Sequence, residues 1–398
     1  MTINAQMYDR GAEPSTIREL FAYGMIRKAQ IGEDKVFDFS LGNPSVPAPA
    51  KVKASIINSL NEHTDVHSYT PASGDAKVRG VLAQSIQARF GIPATADNIF
   101  MTMGASASIT LTLNALCNPG DEVIVIAPYF PEYAVWIQAA GAKTVAVNAL
   151  PDTFQLDIEA IESAITANTK AIIINSPNNP CGVVYPLEDL EKLAALLDDK
   201  NLKFSTGIYL IADEPYRELV YDNLHVAYLP CVYNNSIVCY SYSKSLSLPG
   251  ERIGYVFVPE SAHDSKAVYT AICGAARCLG MICAPSIFQR VIADCVAEPA
   301  NIAAYESNRN LLTSALSEYG YEFSNPDGAF YLWVKSPIPN AQDFSDSAKE
   351  YELLIVPSDS FGVSGYVRIG YCVSESVIRG SLPAFKALMQ DFKNSRAF

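Results

Sequence analysis

A chain of 398 residues is long enough for two or three packing units and for burying a large ligand. A net charge of −13, with no Lys/Arg run to offset it, works against nucleic-acid binding, because the phosphates would be repelled. With 49% hydrophobic and 18% charged residues the chain reads as folded rather than disordered, yet no uncharged apolar run reaches the ~20 residues of a membrane-spanning helix.

The opening stretch MTINAQMYDRGAEPS has no apolar signal core, so a cytoplasmic protein is expected. Residues 15–28 predict a helix, followed by a strand-like segment at 36–41. From about 98 to 260 one pattern recurs: a short β-branched or apolar run, a turn, then a helical stretch. The runs lie at 99–103, 122–127, 143–147, 171–175, 209–213, 237–240 and 252–258. Most are apolar throughout, as strands covered on both faces are. Helices are expected between them, among them 107–117, stopped by Asn118-Pro119-Gly120, and 187–197 after Pro186. The expected fold is α/β, with a seven-stranded, mostly parallel, doubly wound sheet. Residues 286–319 then read as mostly helical, with short strands around 330–334, 353–356 and 366–373, which is the pattern of a smaller α+β domain. The expected division is 1–46 as an N-terminal segment joining the small domain, 47–285 as the large domain and 286–398 as the small C-terminal domain.

Nine cysteines without a C-x-x-C pair suggest neither a disulfide framework nor a zinc site, and the four histidines, His63 and His67 included, bring no further ligand in sequence. No metal is expected.

In an open α/β sheet, ligands bind at the carboxyl ends of the strands. Four of the runs end there in polar groups. The run at 99–103 leads through Gly104-Ala105-Ser106 into a helix, whose free N–H groups would face an anion; a plain turn is the alternative. The run at 171–175 opens into the amide-rich loop Asn175-Ser176-Pro177-Asn178-Asn179-Pro180-Cys181-Gly182, which a turn would also explain. The run at 209–213 delivers Asp213-Glu214-Pro215-Tyr216, and a carboxylate after a buried strand needs a cation, unless it serves as a helix cap or structural salt bridge. The run at 237–240 ends in Ser241-Tyr242-Ser243-Lys244, with Arg252 eight residues on, so Lys244 is either a desolvated nucleophile or an exposed charge. Further on, Arg368 interrupts an apolar strand and requires an anion, from a ligand or from a structural ion pair. No G-x-G-x-x-G follows a strand, and there is no G-x-x-x-x-G-K-[ST] loop. An anion cradle, a carboxylate, phenols, amides and an amine suit pyridoxal phosphate (PLP), which needs partners for its phosphate, ring nitrogen, phenolic oxygen and aldehyde.

The segment SYSKSLSLPGERIGY, 241–255, resembles the Schiff-base segment of class I (aspartate-type) aminotransferases, of PLP fold type I, and the likeness extends over nearly the whole chain. The resemblance implies that Lys244 forms the Schiff base, and that Ser241 and Arg252 hold the phosphate together with Gly104, Ala105 and Ser106. By the same likeness Asp213 pairs with the pyridine nitrogen, Tyr216 and Asn179 bond the ring oxygen, and Phe130, where many relatives carry tryptophan, stacks on the ring. Gly42 in LGNPSVPAP is placed beside the substrate, and Arg368 in YVRIGY at its α-carboxylate. Tyr69 in HSYTPASGDAKVR is placed at the phosphate of a neighbouring subunit, which implies a homodimer with shared active sites. Cys181 stands where the family usually has threonine, and no side-chain arginine is clearly placed; Arg277 is the nearest candidate after Lys244, with a surface or interface position as its alternative. The function implied is a PLP-dependent aminotransferase moving an amino group from an L-amino acid to a 2-oxo acid. Its alternatives are a PLP-dependent β-lyase on the same fold and a non-catalytic effector-binding module.

Overall fold

In the computed structural model, residues 2–12 and 15–395 are described. The first strand, β1 (Phe37–Asp38), lies apart from the seven that follow: β2 (Ile99–Thr102), β3 (Glu122–Ala127), β4 (Lys143–Asn148), β5 (Thr169–Asn175), β6 (Tyr209–Asp213), β7 (Ser236–Ser241) and β8 (Gly254–Phe257). These seven form one sheet in the order β2-β8-β7-β6-β5-β3-β4. Strands β3 to β7 pair in parallel, and β8 runs antiparallel to both of its neighbours.

The period-2 alternation of strand side chains sends two apolar sets to opposite faces. Ile172, Ile174, Leu210, Ala212 and Val238 pack into one core. Ala171, Ile173, Ile211, Ile237 and Cys239 pack into another, with Ile109, Leu111 and Leu113 of the helix Ala105–Leu116. Central strands therefore need apolar residues at every position, whereas the edge strand β4 alternates toward solvent. Gly254 marks a close approach, since a Cβ there would lie 2.3 Å from the Tyr240 carbonyl oxygen.

The rest of the chain adds β9 (Tyr331–Lys335), β10 (Leu353–Leu354), β11 (Val356–Pro357) and β12 (Tyr366–Gly370). Strands β11, β12 and β9 make an antiparallel sheet, while β1 pairs in parallel with β10. The helices Ala303–Tyr319 and Glu375–Ser395 cover them, burying Leu312, Leu316, Phe330, Leu332 and Phe385 together.

Several boundaries differ from the sequence expectation. The helix expected at 187–197 continues to Phe204, because Lys200 is buried and ion-paired with Glu162 at 2.7 Å; it stops at Ser205, in the left-handed conformation. The strand expected at 252–258 begins at Gly254, since Arg252 turns with φ 52°. The expected strand at 353–356 splits into β10 and β11, which pair with different partners. The helical region 286–319 is broken between Ser286–Cys295 and Ala303–Tyr319. Among the described residues no helix is long and apolar enough to cross a membrane, no metal-ligating cluster occurs and the cysteines are free.

Candidate active site

A cavity of about 560 Å³ opens at the carboxyl ends of β5, β6 and β7, within the size range of small-molecule sites. It gathers Gly42, Ala105, Ser106, Phe130, Asn179, Asp213, Tyr216, Ser241, Lys244, Arg252 and Arg368 from across the sequence. Gly104 stands behind the wall, where a Cβ would meet Arg252 Nη2 at 3.1 Å.

Lys244 is carried by the short helix Tyr242–Ser245 at the end of β7, which Ser241 caps by accepting the Ser243 amide at 3.1 Å. Its Nζ donates to the Gly42 carbonyl oxygen at 2.5 Å and stands 5.5 Å from the Phe330 ring centroid. Burial pulls the amine down to about 8, Cys372 opposes it, and Arg252 and Arg368 add smaller pushes in the direction of burial. Gly42 is required where it stands, because a Cβ there would fall 1.8 Å from Tyr331 Oη.

Asp213 is the last residue of β6 and is 6% exposed. Its Oδ2 accepts the Tyr133 hydroxyl, while its Oδ1 is buried without a partner. Desolvation raises the carboxyl to about 7, Glu214 adds to the rise, and the Tyr133 bond opposes it. No lysine or arginine among the described residues pairs with it, so these residues do not supply the cation expected from the sequence. Asn175 braces the strand end, donating to the Asp213 carbonyl at 2.9 Å and accepting the Asn179 amide at 2.7 Å.

At the opposite wall, Gly104 caps the helix Ala105–Leu116 with φ 91°. Arg252 Nη2 reaches Ser106 Oγ at 3.2 Å, and Nη1 is fixed by the Pro249 carbonyl at 2.8 Å. The left-handed backbone at Arg252 is a strained conformation for an arginine, of the kind that surrounding structure must hold in place. Ser241 Oγ lies 2.6 Å from Ser243 Oγ.

Arg368, on β12, is 2% exposed. Its Nη1 donates to Asn179 Oδ1 at 3.0 Å and its Nη2 to the Ser40 carbonyl at 2.6 Å; Nε is buried and unpartnered. The guanidinium lies 4.5 Å over the Tyr331 ring. No carboxylate among the described residues pairs with it, so the structural ion pair weighed as its alternative is absent. Tyr216 Oη meets Tyr331 Oη at 3.0 Å, and Phe130 packs edge-on against Tyr133 and Trp136. Cys181 is buried, with its Sγ 3.0 Å from Asn178 Oδ1.

Tyr69 and Arg277 are not brought to this cavity within the chain. Tyr69 is 95% exposed, and Arg277 is exposed in the last turn of the helix Ser265–Leu279. Tyr133, Tyr331 and Arg18 were not singled out from the sequence. Tyr133 follows Phe130 by one helical turn, a spacing that could have flagged it; Tyr331 and Arg18 sit in apolar or helical stretches without a local signal.

An anion cradle, a buried carboxylate with one free oxygen, a desolvated amine and an unpaired guanidinium around one cavity define a site for PLP chemistry on an amino acid. The profile of the family "Aminotransferase class I and II" matches residues 34–382. A probable aspartate/prephenate aminotransferase of Thermus aquaticus is 31% identical over 360 residues, covering 88% of this chain and 90% of that one. A probable N-acetyl-LL-diaminopimelate aminotransferase of Bacillus subtilis is 32% identical over 88% of each. Among solved structures, an aminotransferase from Eubacterium rectale superposes with a TM-score of 0.96 at 47% identity, over 98% of this chain and 99% of that one. The aspartate aminotransferase of Thermus thermophilus with maleate superposes with a TM-score of 0.85 at 28% identity, over 94% and 97%. The chain belongs to the class I and II aminotransferases, and its cofactor is PLP. None of these relatives speaks for the lyase or the effector module.

Proposed function

We propose that this aminotransferase works through Lys244, as the residue that carries the cofactor and then moves the substrate proton. The observation that carries the reading is the buried, partnerless Oδ1 of Asp213 in the same cavity as the Lys244 amine. A buried carboxylate oxygen needs a donor, and a protonated ring nitrogen is a cationic one. The remaining groups fit the cofactor too. Gly104, Ala105 and Ser106, at the start of a helix, would hold the phosphate with Ser241 and Arg252. Tyr216 and Asn179 would hold the ring oxygen, and Phe130 would cover a ring face.

Bound PLP supplies an aldehyde carbon that condenses with amines and a ring that accepts the electrons left when Cα loses its proton. Lys244 Nζ, pulled down to about 8 by burial, gives up its proton closer to neutral pH than an ordinary lysine does, and the free amine can then take one from the substrate Cα. Arg368 would hold the α-carboxylate. Asn179 and Ser40 fix its two terminal nitrogens, leaving Nε and one hydrogen on each terminal nitrogen for the substrate. Gly42 passes its backbone beside the same volume.

Tyr69 is assigned to the phosphate site of a second copy, in a homodimer with shared sites; its exposure and its lack of any hydrogen bond within the described chain support this. Residues 1–46 and 286–398 are read as one small domain, supported by the β1–β10 pairing, and 47–285 as the large domain. For the substrate side chain, Arg18 lines the cavity with no ion pair among the described residues and favours a dicarboxylic donor, in keeping with the names of the aspartate-type relatives.

Purified protein incubated with 15N-labelled amino acids and either 2-oxoglutarate or pyruvate should form the labelled amino acid of the acceptor. Release of pyruvate and ammonia from one amino acid, with the acceptor untouched, would instead establish the lyase.

A further inference from the structure

A second cavity, of about 660 Å³, lies behind the turn that carries Lys244. It opens to solvent and is bordered by the helix Ala76–Phe90, by β7 and β8, and by residues 295–299 after the helix Ser286–Cys295. It shares no lining residue with the active-site cavity. Tyr242 and Ser245, which flank Lys244 in the chain, face this second space instead.

Three tyrosines line it. Tyr240 Oη is engaged by Glu218 Oε2 at 2.9 Å and by Ser245 Oγ at 3.0 Å. Tyr242 and Tyr255, only 5% and 6% exposed, have hydroxyls that meet no partner among the described residues, and their ring centroids are 6.3 Å apart. Burial raises both phenols, so each keeps a hydrogen to donate. Both residues line the cavity, and neither hydroxyl oxygen is sealed from it, so two phenol donors without a protein acceptor are available to an occupant.

The charges narrow the class of occupant. Arg89 pairs with Glu218 at 2.8 Å and Glu298 with Lys51 at 3.1 Å, so no unpaired charge waits for a charged ligand. A net charge entering here would be desolvated without compensation. Aromatic walls, with Leu82 and Ile86 beside them, favour a flat body. We propose that this cavity binds a small, uncharged, planar molecule whose carbonyl oxygen accepts hydrogen bonds from Tyr242 and Tyr255. An occupant would also touch the chain Ser245–Tyr240–Glu218, which begins at the residue after Lys244.

The test uses the PLP-loaded protein and ligand-observed NMR titration with benzamide, with benzoate as its charged counterpart. Millimolar or tighter binding of benzamide is expected, with benzoate weaker. The double variant Tyr242→Phe/Tyr255→Phe should weaken benzamide about tenfold, as the loss of two net hydrogen bonds implies. Removing idle hydroxyls should leave the melting temperature unchanged or higher, so the variant reports on binding rather than on folding; each single change should show an intermediate loss. Arg368→Lys, in the other cavity, should leave benzamide binding intact. The proposal is overturned by any of three outcomes: no benzamide bound at millimolar concentration, benzoate binding tighter than benzamide, or full binding in the double Phe variant.

Discussion

Tyr133 donates its hydroxyl to Asp213 Oδ2, while Asp213 Oδ1, equally buried, meets no donor. The pair is two members of a three-member arrangement, and the free carboxyl sits near 7 rather than at its ordinary 3.8 because burial outweighs the Tyr133 bond. In cofactor-free protein the folded state therefore holds a proton that the unfolded chain has released. Stability should fall as pH rises from about 4 to about 7 and stay lower above it. Asp213→Asn removes that cost, so the cofactor-free variant should be more stable than the parent at pH 8, by on the order of a few kcal/mol, with the difference shrinking at pH 5. With PLP the order should reverse, since asparagine offers no charge to the ring nitrogen, and kcat should fall about a hundredfold or more. Thermal scans of both forms at the two pH values decide it; equal melting temperatures for the cofactor-free proteins at pH 8 would show that Asp213 finds another partner.

Lys244 carries the second prediction. Lys244→Ala should retain no PLP after borohydride reduction, by intact mass, and should lose nearly all turnover. In the parent, a folded value near 8 against an ordinary 10.5 means that the unfolded chain binds the extra proton between those limits. Cofactor-free protein should therefore gain stability from this group as pH climbs from about 8 to about 10, and the alanine variant should lack that component of the slope. A variant that keeps both the reducible cofactor and its turnover would assign the role to another amine.

Exposure of Tyr69 leads to a test of assembly. If the sites are shared in a homodimer, chains carrying Tyr69→Phe and chains carrying Lys244→Ala should each be impaired when paired with themselves. In a hybrid, one site combines Lys244 and Arg252 of the first chain with the unaltered Tyr69 of the second, and the other site lacks the lysine. Hybrids isolated with two affinity tags should thus exceed both parents in activity. If each site is built from one chain alone, the site with Lys244 keeps its defective tyrosine and no gain appears.

Much of this was readable in the chain. The central strands are apolar at every position because both faces are covered, so β5, β6 and β7 stood out, and polar groups directly after them stood out in turn. Lys244, Asp213 and Arg368 were visible because a charge beside a buried strand has to be explained. What sequence could not carry was contact across distance. Tyr133 meets Asp213 from 80 residues away, and Tyr331 reaches both Tyr216 and the space beside Gly42 from another sheet. Neither tyrosine differs from a core aromatic until the chain is folded. Pairing partners also set the split of 353–356 into β10 and β11, which no local pattern marks.

Arg18 and Arg277 give competing accounts of the substrate side chain, and the structure separates them within one chain. Arg18 lines the active-site cavity and has no ion pair among the described residues, whereas Arg277 is exposed outside it and could reach a site only across a dimer interface. A guanidinium offered to a distal carboxylate acts on dicarboxylic donors and leaves neutral ones alone, because alanine presents nothing to pair with. Arg18→Leu should lower kcat/KM for aspartate and glutamate by on the order of tenfold, the worth of one charge-assisted hydrogen bond, and change alanine and phenylalanine little. The loss should appear mainly in KM if the contact is equal in ground and transition states. Arg277→Leu, measured with the same four donors, should leave all of them near the parent values. A loss confined to the dicarboxylic donors in Arg277→Leu, with Arg18→Leu silent, would move the side-chain contact to the neighbouring subunit; equal losses for all four donors in Arg18→Leu would make that residue a structural part of the cavity mouth.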